Sequence, residues 1–100
     1  MIYYYLDHLM GAYLNQDYDL SGETPEEVVQ CYLDNEGVAH ASGLAEDCTK
    51  FIENNNDVET NFEALYGDDF SPRLWRITAI EFLQNTSEQA KAFISDSESR

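Results

Sequence analysis

The sequence predicts an all-α fold, a compact bundle of five or six short helices, and three observations carry that prediction. Apolar residues recur at three- and four-residue intervals along most of the chain, the spacing that puts them on one face of an amphipathic helix. Cap-like sequences at Thr24-Pro25-Glu26-Glu27, Ser71-Pro72 and Thr86-Ser87-Glu88-Gln89 mark helix starts. No segment alternates convincingly at period two, and no Asn-Gly or Asp-Gly hairpin turn occurs.

The first helix falls within residues 2–14, with Tyr5, Leu6, Leu9, Met10 and Tyr13 on its inner face. Asn15 to Glu23 then interrupts the pattern with polar turn residues. The second helix opens with Thr24 as cap, Pro25 at the first helical position and Glu27 reaching back toward the cap's backbone N–H. Glu26 and Glu27 meet the positive end of its dipole. This helix buries Val28, Val29, Tyr32 and Leu33 and ends at Gly37 in a left-handed conformation.

A third helix runs over 38–54, with Leu44, Ala45, Cys48, Phe51 and Ile52 inward and His40, Glu46, Asp47, Lys50 and Glu53 outward. Asn54-Asn55-Asn56 closes it, since asparagine tolerates left-handed backbone angles. A shorter helix over 58–66 buries Phe62 and Leu65 and stops at Gly67. Ser71 and Pro72 then start a helix of nearly four turns that presents Leu74, Trp75, Ile77, Thr78, Phe82 and Leu83. The Thr86 box opens a last short helix with Ala90, Phe93 and Ile94 inward. Residues 1–95 read as a single helical domain, and 96–100 as a frayed polar end.

The 100 residues include 20 acidic and 5 basic side chains, a formal net charge of −15. Nucleic-acid binders displace phosphate counterions with clustered Lys and Arg, often at about six to ten contacts, which five scattered cations cannot supply. An anionic membrane surface repels the chain for the same reason, and no stretch approaches the roughly 18 apolar residues of a membrane span. The opening MIYYYLDHLM lacks a basic region, a long aliphatic run and a small-residue cleavage site, so a secretory leader is not expected. At 43% hydrophobic and 13% aromatic, the chain is too apolar for a disordered acidic tail. Cys31 and Cys48 form no CxxC pair and have no zinc spacing; they read as small buried thiols in a reducing cytoplasm, a disulfide being the alternative.

Asp17-Tyr18-Asp19-Leu20-Ser21-Gly22 matches the first half of a calcium loop. The second half fails, because the bidentate glutamate position falls on Val28 and Pro25 stands inside the loop. Side-chain turns that cover exposed backbone donors account for these aspartates without a metal. His8 and His40 lie far apart in sequence with no nucleophile motif beside them, and read as a half-exposed and a surface residue. The carboxylate pairs Glu26-Glu27, Glu46-Asp47 and Asp68-Asp69 are adjacent rather than facing. With no phosphate loop, nucleophile elbow or dinucleotide fingerprint, no catalytic residue, cofactor or metal is expected. Tyr3, Tyr4 and Tyr5 cannot all face inward, because each helical step rotates by about 100°; the outward rings either edge the core or form a contact surface.

A small anionic helical domain without chemistry of its own fits a binding protein for a cationic partner. Nucleases are such partners, because they must attract phosphate. An acidic nucleic-acid-mimicking or other regulatory binding protein is the alternative.

The run from Leu9-Met10-Gly11-Ala12-Tyr13 through Gln16-Asp17-Tyr18-Asp19, followed by Thr24-Pro25-Glu26-Glu27-Val28-Val29, resembles the CdiI-type immunity proteins of bacterial contact-dependent growth inhibition systems. Leu65-Tyr66-Gly67, Phe70, Ser71 and Trp75 echo a later segment of the same family. The resemblance implies a cytoplasmic antidote that binds the toxic C-terminal domain of a cognate CdiA-type exoprotein, a basic domain of the kind nucleases carry; of the oligomeric states left open, a monomer is favoured. By the same likeness Gln16, Asp17, Tyr18 and Asp19 form the family's signature corner, which either touches the toxin or only holds the first two helices together. The structural role is favoured, because an element shared by proteins that face different toxins is a poor place for partner choice. Toxin contact is then expected on acidic surface outside that corner, at Glu23, Glu26, Glu46, Asp47, Asp68 and Asp69.

Overall fold

A computed structural model of the chain describes residues 3–14, 24–67, 70 and 72–98. Five α-helices follow one another: α1 (Tyr4–Ala12), α2 (Pro25–Glu36), α3 (Val38–Asn54), α4 (Val58–Tyr66) and α5 (Ala79–Glu98). A single 3₁₀ turn, Pro72–Trp75, lies between α4 and α5. No strand occurs among the described residues, and the all-α bundle agrees with the apolar spacing.

At the start of α2, Pro25 stands in the first turn and Thr24 Oγ1 accepts from Glu27 N at 3.2 Å, as the sequence dictates, but the expected return bond from the cap's N–H to the Glu27 carboxylate does not form among the described residues. Gly37 ends the helix at φ 89° and ψ −175°. That φ is positive as expected, but the ψ lies outside the left-handed helical region, in territory open essentially to glycine alone. The same residue precedes the first turn of α3, so one glycine serves two helices. At the far end of α3 the asparagines act differently from the expectation. Asn55 is extended (φ −119°, ψ 126°), and its amide donates to Phe51 O at 2.8 Å while its side-chain oxygen accepts from Asn61 at 2.8 Å. The helix is closed by side-chain hydrogen bonding, not by a left-handed residue.

The largest departure lies after residue 70. The expected four-turn helix from Pro72 is one 3₁₀ turn, broken at Arg76, whose φ of 61° is the one positive value among described non-glycine residues. The chain restarts at Thr78, and α5 then runs for 20 residues without a break. Thr86 and Ser87, expected to open a new helix, are buried inside it. A cap would require non-helical backbone there, and from Ala79 onward the sequence offers neither glycine nor proline to cause it. Their small side chains instead suit a packed face, and α3 and α5 share the largest contact in the bundle. Helix continues through Glu98, into the segment 96–100 expected to fray. The Ser71 cap and the inward placement of Leu74 lie outside the described residues.

Within the core, Leu6, Leu9, Met10, Val28, Val29, Tyr32, Leu33, Leu44, Cys48, Phe51 and Phe62 are almost completely buried. On α4 Phe62 is inward as expected, but its buried companion is Tyr66, and Leu65, expected inside, is 59% exposed. Tyr66 O–H donates to Asp7 Oδ1 at 2.5 Å, an anchor between α4 and α1 that no leucine could make. Tyr3 is buried against Phe51, Tyr4 is exposed, and Tyr5 and Tyr13 are half-buried rather than inside. Cys31 and Cys48 are free thiols.

Candidate functional site

Charge is the chain's most unusual property, so the surface question is which carboxylates are occupied by the fold. Several are. Asp47, on α3, turns toward α1, where its Oδ2 accepts from Tyr5 N at 2.8 Å and Leu6 N at 3.2 Å. It thereby satisfies two of the donors that a helix leaves open at its N-terminus. Burial raises the Asp47 pKa, while the Leu6 and Tyr5 amides pull it back down. Glu59, on α4, does the same for α5: its two oxygens accept from Ala79 N at 2.7 Å and Ile80 N at 3.0 Å. A reciprocal capping box completes that end, with Thr78 Oγ1 accepting from Glu81 N at 3.0 Å and Glu81 Oε1 accepting from Thr78 N at 3.1 Å. Asp57 caps α4 through Thr60 N at 3.2 Å, and Glu46 pairs with Lys50 at 2.6 Å.

Glu26, Glu27, Glu53 and Glu88 are different. All four are exposed, and no hydrogen bond or ion pair to their carboxylates occurs among the described residues. Glu26 and Glu88 flank a groove of about 700 Å³ between the start of α2, the Trp75–Ile77 segment and α5. Its floor includes Pro25, Val29 and Phe82, with half-buried Trp75 and Ile77 alongside. Gln89 ties α5 to α2 beside it, donating to Glu26 O at 2.9 Å. An apolar trough bordered by free carboxylates can receive a partner's apolar side chain while its cations meet the rim.

A family model described as CdiI immunity protein matches residues 3–90. The chain belongs to the CdiI immunity protein family. Its role is therefore immunity to a contact-dependent growth inhibition toxin. Comparison with curated proteins and with solved structures gave no match. No described helix is long and apolar enough to cross a membrane.

Of the six acidic positions expected at the toxin contact of this CdiI protein, three lie among the described residues, each in a different state. Glu26 is exposed and unpaired beside the groove, whereas Glu46 is exposed but paired with Lys50. Asp47, expected to point outward, is half-buried on the first turn of α1. Glu23, Asp68 and Asp69 lie outside the described residues, as do Gln16, Asp17, Tyr18 and Asp19 of the signature corner.

A second cluster was missed by the sequence reasoning. His8 of α1, Glu36 at the end of α2 and His40 in the first turn of α3 are half-buried and converge, one ligand atom from each within 4.8 Å of the others. The imidazole centroids are 6.1 Å apart. Three tyrosines surround them. Tyr13 O–H donates to Glu36 Oε2 at 2.7 Å, Tyr5 meets the His40 ring edge-on at 5.4 Å, and Tyr32 lies 5.5 Å from His8. Burial first, and then Glu36, push the Tyr13 and Tyr32 hydroxyls above the ordinary tyrosine range, so both remain protonated donors at neutral pH. The Glu36 and His40 spacing of four was visible in the sequence, but it spans the Gly37 junction and His8 comes from another helix.

Proposed function

We propose that this CdiI protein neutralises the C-terminal toxin domain of a cognate CdiA-type exoprotein inside the producing cell, by binding rather than catalysis, and that the toxin is a nuclease. The observation that carries the reading is the surplus of carboxylates left over after the helix ends have taken theirs. A net charge of −15 in 100 residues attracts a basic surface, and a nuclease must be basic where it holds phosphate. Glu26 and Glu88, beside an apolar groove, supply the pattern of a charged rim around a desolvated centre. Glu23, Asp68 and Asp69 extend the proposed acidic contact. Glu46 contributes after exchanging its lysine for a toxin cation, while Asp47 acts through the scaffold it caps.

The test is association kinetics with the purified toxin domain. Converting Glu26 and Glu88 together to lysine should slow association roughly tenfold at low ionic strength, with a smaller effect in high salt. A dissociation rate that changes little would mark steering, and a large increase would place the pair in the desolvated contact. Unchanged association at every ionic strength would overturn the electrostatic reading. Stable capture of a nucleic-acid-binding host protein, with no affinity for the toxin domain, would instead support a nucleic-acid mimic.

A further inference from the structure

We propose that His8, Glu36 and His40 form a binding site for a divalent transition metal, with zinc the ion that fits best. Two imidazoles and one carboxylate are a donor set suited to zinc, which accepts nitrogen and oxygen ligands at about 2.0–2.2 Å. Ligand atoms around a tetrahedral zinc of that radius lie about 3.3–3.6 Å apart. Here His40 Nε2 and Glu36 Oε1 are 3.8 Å apart and all three ligand atoms fall within 4.8 Å, so small side-chain rotations close the set. Without an ion the same spacing serves little, since 3.8 Å is too long for a hydrogen bond.

Two further observations point to a ligand. His8 Nδ1 and the Tyr32 hydroxyl are buried with no hydrogen-bond partner among the described residues, and their rings pack against each other. Buried polar atoms are seldom left unsatisfied without a reason, and a metal or its bound water offers partners there. The outer shell is also in place. Tyr13 occupies Glu36 Oε2 and leaves Oε1 toward His40, while Tyr5 holds the His40 ring from its edge. Such outer contacts orient metal ligands and tune their affinity. The three ligands come from three helices, so an ion would tie α1 to the α2–α3 junction, and the half-buried setting leaves water to complete the coordination.

The test uses the 100-residue chain, stripped of metal and titrated with Zn²⁺ by calorimetry and with Co²⁺ by visible absorption. The expected result is saturable 1:1 binding, d–d bands of a low-symmetry Co²⁺ site and a higher Tm with Zn²⁺. His8→Gln and His40→Gln should each weaken binding at least tenfold, and Tyr13→Phe by about tenfold. Cys31→Ser should leave it unchanged, which separates this site from zinc capture by a half-exposed thiol. Far-UV circular dichroism checks each variant. Should His8→Gln not fold, His40→Gln and Glu36→Gln carry the comparison on the other two ligands. Absence of 1:1 binding, wild-type affinity in both His40→Gln and Glu36→Gln, or loss of binding with Cys31→Ser would each overturn the assignment.

Discussion

Asp47 is the clearest case of a carboxylate put to structural use. Its carboxylate accepts two amides of α1, yet its pKa is raised, because burial outweighs those hydrogen bonds. The folded chain therefore holds this proton to higher pH than the unfolded chain does. By linkage, the contribution is fully present below the unfolded pKa and is lost as pH rises through the folded one. Asp47→Asn keeps an acceptor for the amides and removes the charge. Urea unfolding across pH 4 to 7 should show it at least as stable as the wild type at neutral pH, with the difference shrinking toward acid. Asp47→Ala loses the acceptor as well and should cost about 1–2 kcal/mol at neutral pH. A cost as large for asparagine as for alanine would show that the ionised form matters more than its burial. Nothing near residue 47 in the sequence marks it as a cap, because the amides it serves are 42 and 41 residues away. For the same reason His8 and His40 looked unrelated, being brought together only when α1 lies across α3.

Among the elements, α1 packs on α3 at Gly43, where an added Cβ would run into the Tyr5 ring. Alanine is favoured over glycine in a helix by about 1 kcal/mol, but overpacking costs about 1–3 kcal/mol. Gly43→Ala should therefore be destabilising on balance, by roughly 1 kcal/mol, and combining it with Tyr5→Ala should recover most of that loss. Denaturant titration of the four members of this cycle measures the coupling, and additive effects would mean the ring swings clear. The starts of α2 and α3 were legible because Thr24, Pro25 and Gly37 act within their own few residues. The start of α5 was not. Thr78-x-x-Glu81 and Thr86-x-x-Gln89 carry the same short-range signature. What separates them is that Thr86 and Ser87 are buried in a helix that packs on α3, while Glu59 arrives from α4 to cover the amides next to Thr78. Neither fact resides in a window of four residues.

At the scale of the whole molecule, the acidic charge divides between carboxylates used at helix ends and those left at the surface. Self-repulsion of a −15 chain opposes folding, and salt screens it. Raising NaCl from about 10 mM to about 1 M shortens the Debye length from about 30 Å to about 3 Å. The Tm should rise by several degrees over that range. A Tm that falls would mean that cap and ion-pair electrostatics outweigh the repulsion between free carboxylates. The family assignment rests on residues 3–90, and the all-α architecture was readable from apolar spacing, cap-like sequences and the lack of strand-like alternation. The division of the charge was not, since it depends on which helix each carboxylate faces. The cross-helix cap on α1 has one more consequence. A first turn is ordinarily the part of a helix that frays soonest, exposing its amides to solvent deuterium on short timescales. Here the Tyr5 and Leu6 amides are held by a side chain of α3, so freeing both requires that carboxylate to let go, as it must when α1 lifts away. Their exchange rates thus become a gauge of helix undocking, at a place in the chain where end fraying would otherwise dominate.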